Sequence, residues 1–234
     1  MNSTETNVAA AQLIGVTKTF RMDGNATNAV HNISVDAHFG ELLLLLGPSG
    51  SGKTTLLTLL AGFLEPTTGV VRLSGKNLRE LSLQELQKLR AEKMGFVFQT
   101  FHLIDALTVV ENITLVLRFA GRRVDDARRR ALEQLSELRI EHLASKFPPR
   151  LSHGEKQRVA VARAVANNAD LILADEPTSS LESTQGFEII QLLHKYAREE
   201  NKCVIVASHD LRLLDFADRV IRLEDGCIIQ RTAE

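Results

Sequence analysis

Cysteine is scarce: the 234 residues contain two, Cys203 and Cys227, each alone in an apolar stretch without a CxxC or Cys/His spacing. This excludes a disulfide scaffold and favours buried reduced thiols over metal ligands. Charge excess is also missing. With 28 Lys+Arg against 29 Asp+Glu the net charge is -1, so the chain offers no bulk attraction to nucleic acid or an anionic membrane, and no nucleic-acid partner is expected. No run approaches the roughly 18 to 20 apolar residues of a membrane span. The opening MNSTETNVAAAQ lacks the basic and apolar regions of a signal peptide, and a soluble cytoplasmic protein is expected. Triplets such as Asn32-Ile33-Ser34 then carry no weight as glycosylation sites. There is no repeat of about 20 to 50 residues, heptad series or low-complexity tract, which sets aside solenoids and long coiled coils. What remains is ordinary: 44% apolar and 24% charged residues, the composition of a globular chain of one or two domains.

Short apolar segments at residues 13–20 and 30–37, separated by Asp23, Gly24 and Asn25, predict antiparallel strands joined by a turn. Residues 41–46 are unlike them. This run is unbroken and ends in glycines, the pattern of a strand buried on both faces of a parallel sheet, and a helix is expected at 53–61. The middle, 78–143, reads as helix-rich. Ala127, Ala131, Leu135 and Leu138 recur at helical spacing behind Asp125 and Asp126, marking an amphipathic helix whose Arg128, Arg129 and Arg130 form its solvated face. After Pro148 and Pro149 come a helix at 154–166, a strand at 171–174, a helix at 183–199 and a strand at 203–207. Alternating strands and helices imply an α/β fold with a mainly parallel sheet.

Directly after the 42–46 strand stand Gly47, Pro48, Ser49, Gly50, Ser51, Gly52, Lys53 and Thr54. This is the P-loop pattern, with the strand before it and the helix after it that distinguish it from a glycine-rich turn. The glycines let several N–H groups and the following helix N-terminus converge on the β- and γ-phosphates of a nucleotide, and Lys53 adds a full positive charge. The Thr54 hydroxyl suits a Mg²⁺ coordination sphere, and Thr55 is placed to meet the α-phosphate.

The strand at 171–174 delivers two adjacent carboxylates, Asp175 and Glu176, at its C-terminal end, where ligands bind in open α/β sheets. Asp175 is expected to hold Mg²⁺ directly or through water. Glu176, pointing the other way, could orient or deprotonate an attacking water.

Leu151, Ser152, His153, Gly154, Glu155, Lys156, Gln157 and Arg158 resemble the signature motif of ABC transporter ATPases. With the P-loop and the acidic pair they identify that superfamily over nearly the whole chain. A Ser hydroxyl and a Gly N–H at a helix N-terminus form a second anion site. The resemblance implies a P-loop NTPase core with a small antiparallel β subdomain and an inserted helical subdomain. It divides a single ATPase domain, 1–234, into a core of 8–77 and 166–234 and a helical part, 78–165, bearing the signature. It also implies a head-to-tail homodimer in which Ser152 and Gly154 of one subunit close on the γ-phosphate of ATP held by the other. Gln99 resembles the glutamine that touches Mg²⁺ or the attacking water and senses the membrane partner. His209 resembles the switch histidine, Phe20 the aromatic that stacks on adenine, and Ser179, Ser180, Leu181 and Glu182 the loop after the acidic pair. Two positions depart from the pattern: His153 stands where glycine is usual and Glu182 where aspartate is usual.

The family's usual partner is an integral membrane permease, so the chain is expected at the cytoplasmic face of the cell membrane, coupling ATP hydrolysis to transport. The segments 96–113 and 208–226 look most like the lipoprotein-release and macrolide-export subfamily, whose relatives include glycolipid and haem exporters. This implies export or extrusion of a hydrophobic or amphiphilic substrate, with a periplasmic adaptor as a further partner. The alternative is a mechanotransmission ATPase that regulates cell-wall hydrolases through a membrane protein without transport.

Overall fold

The computed structural model describes residues 9–22 and 25–233; the turn residues Asp23 and Gly24 and most of the opening stretch lie outside the described residues. The chain is α/β with two sheets. β1 (Ala11–Met22) and β2 (Asn25–Ala37) pair antiparallel as the alternation predicts. With β4 (Thr68–Leu73) and β5 (Lys76–Asn77) they form a four-stranded sheet of order β2-β1-β4-β5.

The second sheet is built around β3 (Leu42–Leu46), whose five leucines are all buried. Its order is β10 (Cys227–Ala233), β9 (Arg219–Glu224), β3, β8 (Cys203–Ser208), β7 (Leu171–Asp175) and β6 (Met94–Val97). Every neighbouring pair is parallel except β10 with β9. The unbroken apolar runs have a direct cause. Leu43, Leu45, Leu171, Leu173 and Ile205 face a core shared with the antiparallel sheet and α1 (Lys53–Leu60), while Leu42, Leu44, Leu46, Ile172 and Val204 face a second core against α6 (Ser183–Glu199). Successive strand residues point to opposite faces, and both faces are covered.

A third core joins α3 (Val109–Phe119), α4 (Val124–Glu137) and one face of α5 (His153–Val165). Ala127, Ala131 and Leu135 are fully buried there, as the periodicity of α4 requires. Arg129 lies outward and pairs with Asp126 and Glu133, but Arg130 departs from the expected solvated face: it is half-buried, donates to Gln134 and the Ala166 carbonyl, and pairs with Glu133 and Glu137. Leu86 and Leu89 of α2 (Leu83–Lys93) pack into the first core, and β6 is an edge strand of the parallel sheet. The apolar positions of the helical cluster run from Leu103 to Ala166. β6 lies close under α5 because Gly95 carries no side chain: a Cβ there would collide with the Ala164 carbonyl. Cys203 is buried, Cys227 half-buried, and both are free thiols. No helix among the described residues is long and apolar enough to cross a membrane.

Candidate nucleotide site

The chain passes from β3 into α1 through residues 47–52. Gly52 has a φ of 99°, and a Cβ there would stand 2.5 Å from the Ala29 carbonyl oxygen, so the turn closes against β2 only with glycine. No side chain caps α1, which leaves its first N–H groups for a ligand. Lys53, 6% exposed, folds back so that Nζ donates to the carbonyls of Gly47 at 2.7 Å and Pro48 at 2.9 Å. Ser51 is buried, and its hydroxyl has no hydrogen-bond partner among the described residues. A buried cation, an orphan hydroxyl and an uncapped helix N-terminus form a cradle fitted to an anion. Pro48, Ser49 and Gly50 are exposed at its rim, and Thr55 is half-buried on the first turn of α1.

The two carboxylates separate as their adjacency demands. Asp175, still in β7, accepts from the Thr54 hydroxyl at 3.1 and 2.9 Å through its two oxygens. Burial pushes its carboxyl above the ordinary range, and the Glu176 charge adds to this; the Thr54 hydrogen bond and Lys53 oppose it. Glu176 has a φ of 46°, a left-handed conformation that costs a non-glycine residue energy and swings its side chain away from Asp175. Its Oε1 lies 3.7 Å from Lys53 Nζ and accepts from His209 Nδ1 at 2.9 Å, while Oε2 accepts from the Ser208 hydroxyl at 3.1 Å. Lys53, Glu176 and His209 therefore converge from three separate elements. A cleft of about 460 Å³ opens over Glu176 and His209, lined also by Thr178, Ser179, Asp210 and Arg212.

Other expected residues lie farther out. Gln99 is exposed in the turn after β6 and makes no side-chain hydrogen bond among the described residues. Phe20 is 42% exposed on β1, with Lys18 Nζ 5.4 Å from its ring centroid. Ser152 caps α5 in a capping box: its hydroxyl accepts from the Glu155 N–H at 3.2 Å, and the Glu155 carboxylate accepts from the Ser152 N–H at 2.8 Å. That second bond, from the Ser152 backbone, is the main reason the Glu155 carboxyl lies below its ordinary range. Ser152 and Gly154 line a separate cleft of about 250 Å³ with Arg139, His142, Arg158 and Gln185. Among the described residues neither hydrogen-bonds the 47–54 loop.

Two contributors escape a reading of motifs alone. Ser208, immediately before His209, is fully buried and holds Glu176; its only signal is its place at the end of an apolar strand. Arg163 donates to the carbonyls of Phe101, at 2.7 Å, and His102. Burial lowers its guanidinium to about 10, which leaves it charged at neutral pH. Nothing in its Ala-Arg-Ala context announces the role.

A family model described as ABC transporter matches residues 30–179. The chain belongs to that family. The ABC transporter ATP-binding protein MJ0796 of Methanocaldococcus jannaschii is 43% identical over 219 residues, covering 92% of this ABC ATPase and 93% of the relative. The hemin import ATP-binding protein HrtA of Staphylococcus haemolyticus is 40% identical, covering 94% and 99%. The macrolide export ATP-binding/permease protein MacB of Agrobacterium fabrum is 35% identical over 92% of this chain but only 33% of its own length. The MJ0796 cassette has been solved as a dimer in a post-hydrolysis state bound to ADP and Pi; it superposes with a TM-score of 0.89 at 40% identity, covering 95% of this chain and 98% of that one. This ABC ATPase is thus an ATP-binding, ATP-hydrolysing subunit of a transporter, of the type found in haem and macrolide systems.

Proposed function

We propose that this ATPase acts as a head-to-tail homodimer at the cytoplasmic face of a membrane, where it drives a separate permease that exports or extrudes an amphiphilic substrate. The convergence of Lys53, Glu176 and His209 over the phosphate cradle carries the reading of the chemistry. Lys53 and the 47–54 backbone bind the β- and γ-phosphates, Thr55 meets the α-phosphate, and Phe20 stacks on the base. Thr54 and Asp175, already hydrogen-bonded, supply the hard oxygens that suit Mg²⁺, with Gln99 reaching in from its loop. When bound, that ion neutralises charge on the phosphate oxygens. Glu176 accepts the proton of the attacking water, held by Ser208 and His209 on its two oxygens. His209, whose Nδ1 is taken by Glu176, helps order the site around that water.

Dimerisation is supported by the position of Ser152 and Gly154, which lie outside their own chain's cradle, and by the dimeric form of the MJ0796 relative. A cleft of about 850 Å³ between α2, β6 and α3 supports docking of the permease. Its walls include Phe63, Phe96, Phe98 and the 75% exposed Phe119. Phe96 stacks on Phe98 with centroids 4.2 Å apart, and such an exposed aromatic surface fits an inserted protein element. Haem and macrolides, named in the relatives, are both amphiphilic. One relative's name says import and the other's export, so direction belongs to the permease.

The test is Glu176→Gln in the complex purified from membranes with whatever integral protein accompanies the chain. ATP should still bind and trap a closed dimer, while hydrolysis falls by about 10²–10⁴-fold. Hydrolysis at the wild-type rate would remove Glu176 as the base, and a chain recovered without any membrane protein would remove the permease.

A further inference from the structure

The residue that departs from the signature pattern makes a contact that glycine could not make. His153 is the first residue of α5 and exposed, and its ring centroid lies 5.9 Å from that of Phe101 at an interplanar angle of 53°. This is within the range of favourable tilted aromatic pairs. Phe101 and His102 have φ of 61° and 48°, a backbone state that non-glycine residues hold only where their surroundings impose it. Those surroundings are largely α5 itself. Arg163, in its last turn, holds both carbonyls, while His102 is fixed by the Phe98 ring at 4.7 Å and the Thr100 hydroxyl at 3.0 Å. The loop carrying Gln99 therefore lies along α5 and is fastened at two points, Arg163 near one end and His153 at the other, about 15 Å apart along the helix.

We propose that His153 is a positioning residue: through Phe101 its ring binds the Gln99 loop to the N-terminus of α5, so that Ser152 and Gly154 move with that loop as the dimer closes. The inference rests on the head-to-tail dimer. With glycine at this position the loop would keep Arg163 and the packing of Leu103 in the helical core, but the N-terminal end of α5 would lose the ring contact that ties it to Phe101. The same loop contributes Phe98 to the 850 Å³ cleft, so the fastening joins the proposed permease surface to the signature.

ATP-driven dimerisation of the full chain, followed by sedimentation across protein concentration in the Glu176→Gln background, tests this. His153→Gly should raise the concentration for half-dimerisation about fivefold, and His153→Phe, which keeps a ring, should restore the original value. Phe101→Ala should match His153→Gly, and the double variant should be no worse than either single one. If residue 153 merely adds bulk at the interface, His153→Gly would tighten the dimer and His153→Phe weaken it. That pattern, or additive losses from the two singles, would overturn the inference. No ATP-driven dimer in the Glu176→Gln chain itself would remove the dimer reading, and this inference with it.

Discussion

The two helix N-termini proposed to meet phosphate are built in opposite ways. α1 begins at a left-handed glycine with no side-chain cap, and its cradle contains a nearly buried lysine and a serine hydroxyl without a partner among the described residues. α5 begins at a serine whose hydroxyl and N–H are both engaged by Glu155, and a carboxylate already lies on its positive end. The first is equipped to hold an anion alone; the second has only a hydroxyl proton and a few N–H groups left to give. In the proposed head-to-tail dimer, an anion already gripped by α1 of one subunit would be the ligand that so weak a second site can serve.

Removing Lys53 tests the strong side. Lys53→Ala should lower nucleotide affinity on the order of 100-fold, as read by calorimetry, because it deletes the full charge in the cradle. The weak side predicts a different signature. Ser152→Ala should leave nucleotide binding by the monomer unchanged while weakening the ATP-driven dimer about tenfold; a fall in monomer affinity would break the contrast. A third helix end sharpens it. Glu182 occupies the N-cap of α6 with extended backbone but makes no cap hydrogen bond, because its side chain is one methylene longer than that of a good cap. Glu182→Asp should stabilise the chain by about 0.5–1 kcal/mol, seen as a raised thermal midpoint.

The smallest effect concerns α3, capped like α5 by a Thr108–Glu111 box. The Thr108 hydroxyl and then its N–H hold the Glu111 carboxyl below its ordinary value. A carboxylate depressed in the folded state adds stability above its unfolded pKa and loses it as pH falls through the folded one. Glu111→Gln should therefore lower the midpoint slightly at neutral pH, and the gap should close on acidification below the ordinary carboxylate range.

What could be read from the sequence was what strand burial and glycine spacing encode. The leucine run of β3, the P-loop, the strand bearing Asp175 and Glu176, and the bounds of α6 each follow from local pattern. β6 could not be read that way: four residues, two of them buried, form an edge strand that lies close under α5, where Gly95 admits the helix backbone. The split between Asp175 and Glu176 was legible as alternation, but the left-handed turn at Glu176 that completes it has no sequence mark. Phe63 and Phe119 meet on one cleft although 56 residues separate them, and Arg163 reaches its carbonyls through tertiary packing alone.

Lys53 closes its own loop by bonding the Gly47 and Pro48 carbonyls. If Lys53 binds the phosphates as proposed, nucleotide entry is an exchange: phosphate oxygens take over a cation that carbonyl oxygens were already holding. The affinity of the pocket would then report the difference between two occupied arrangements. A spent nucleotide would leave a chain that supplies a substitute from its own backbone.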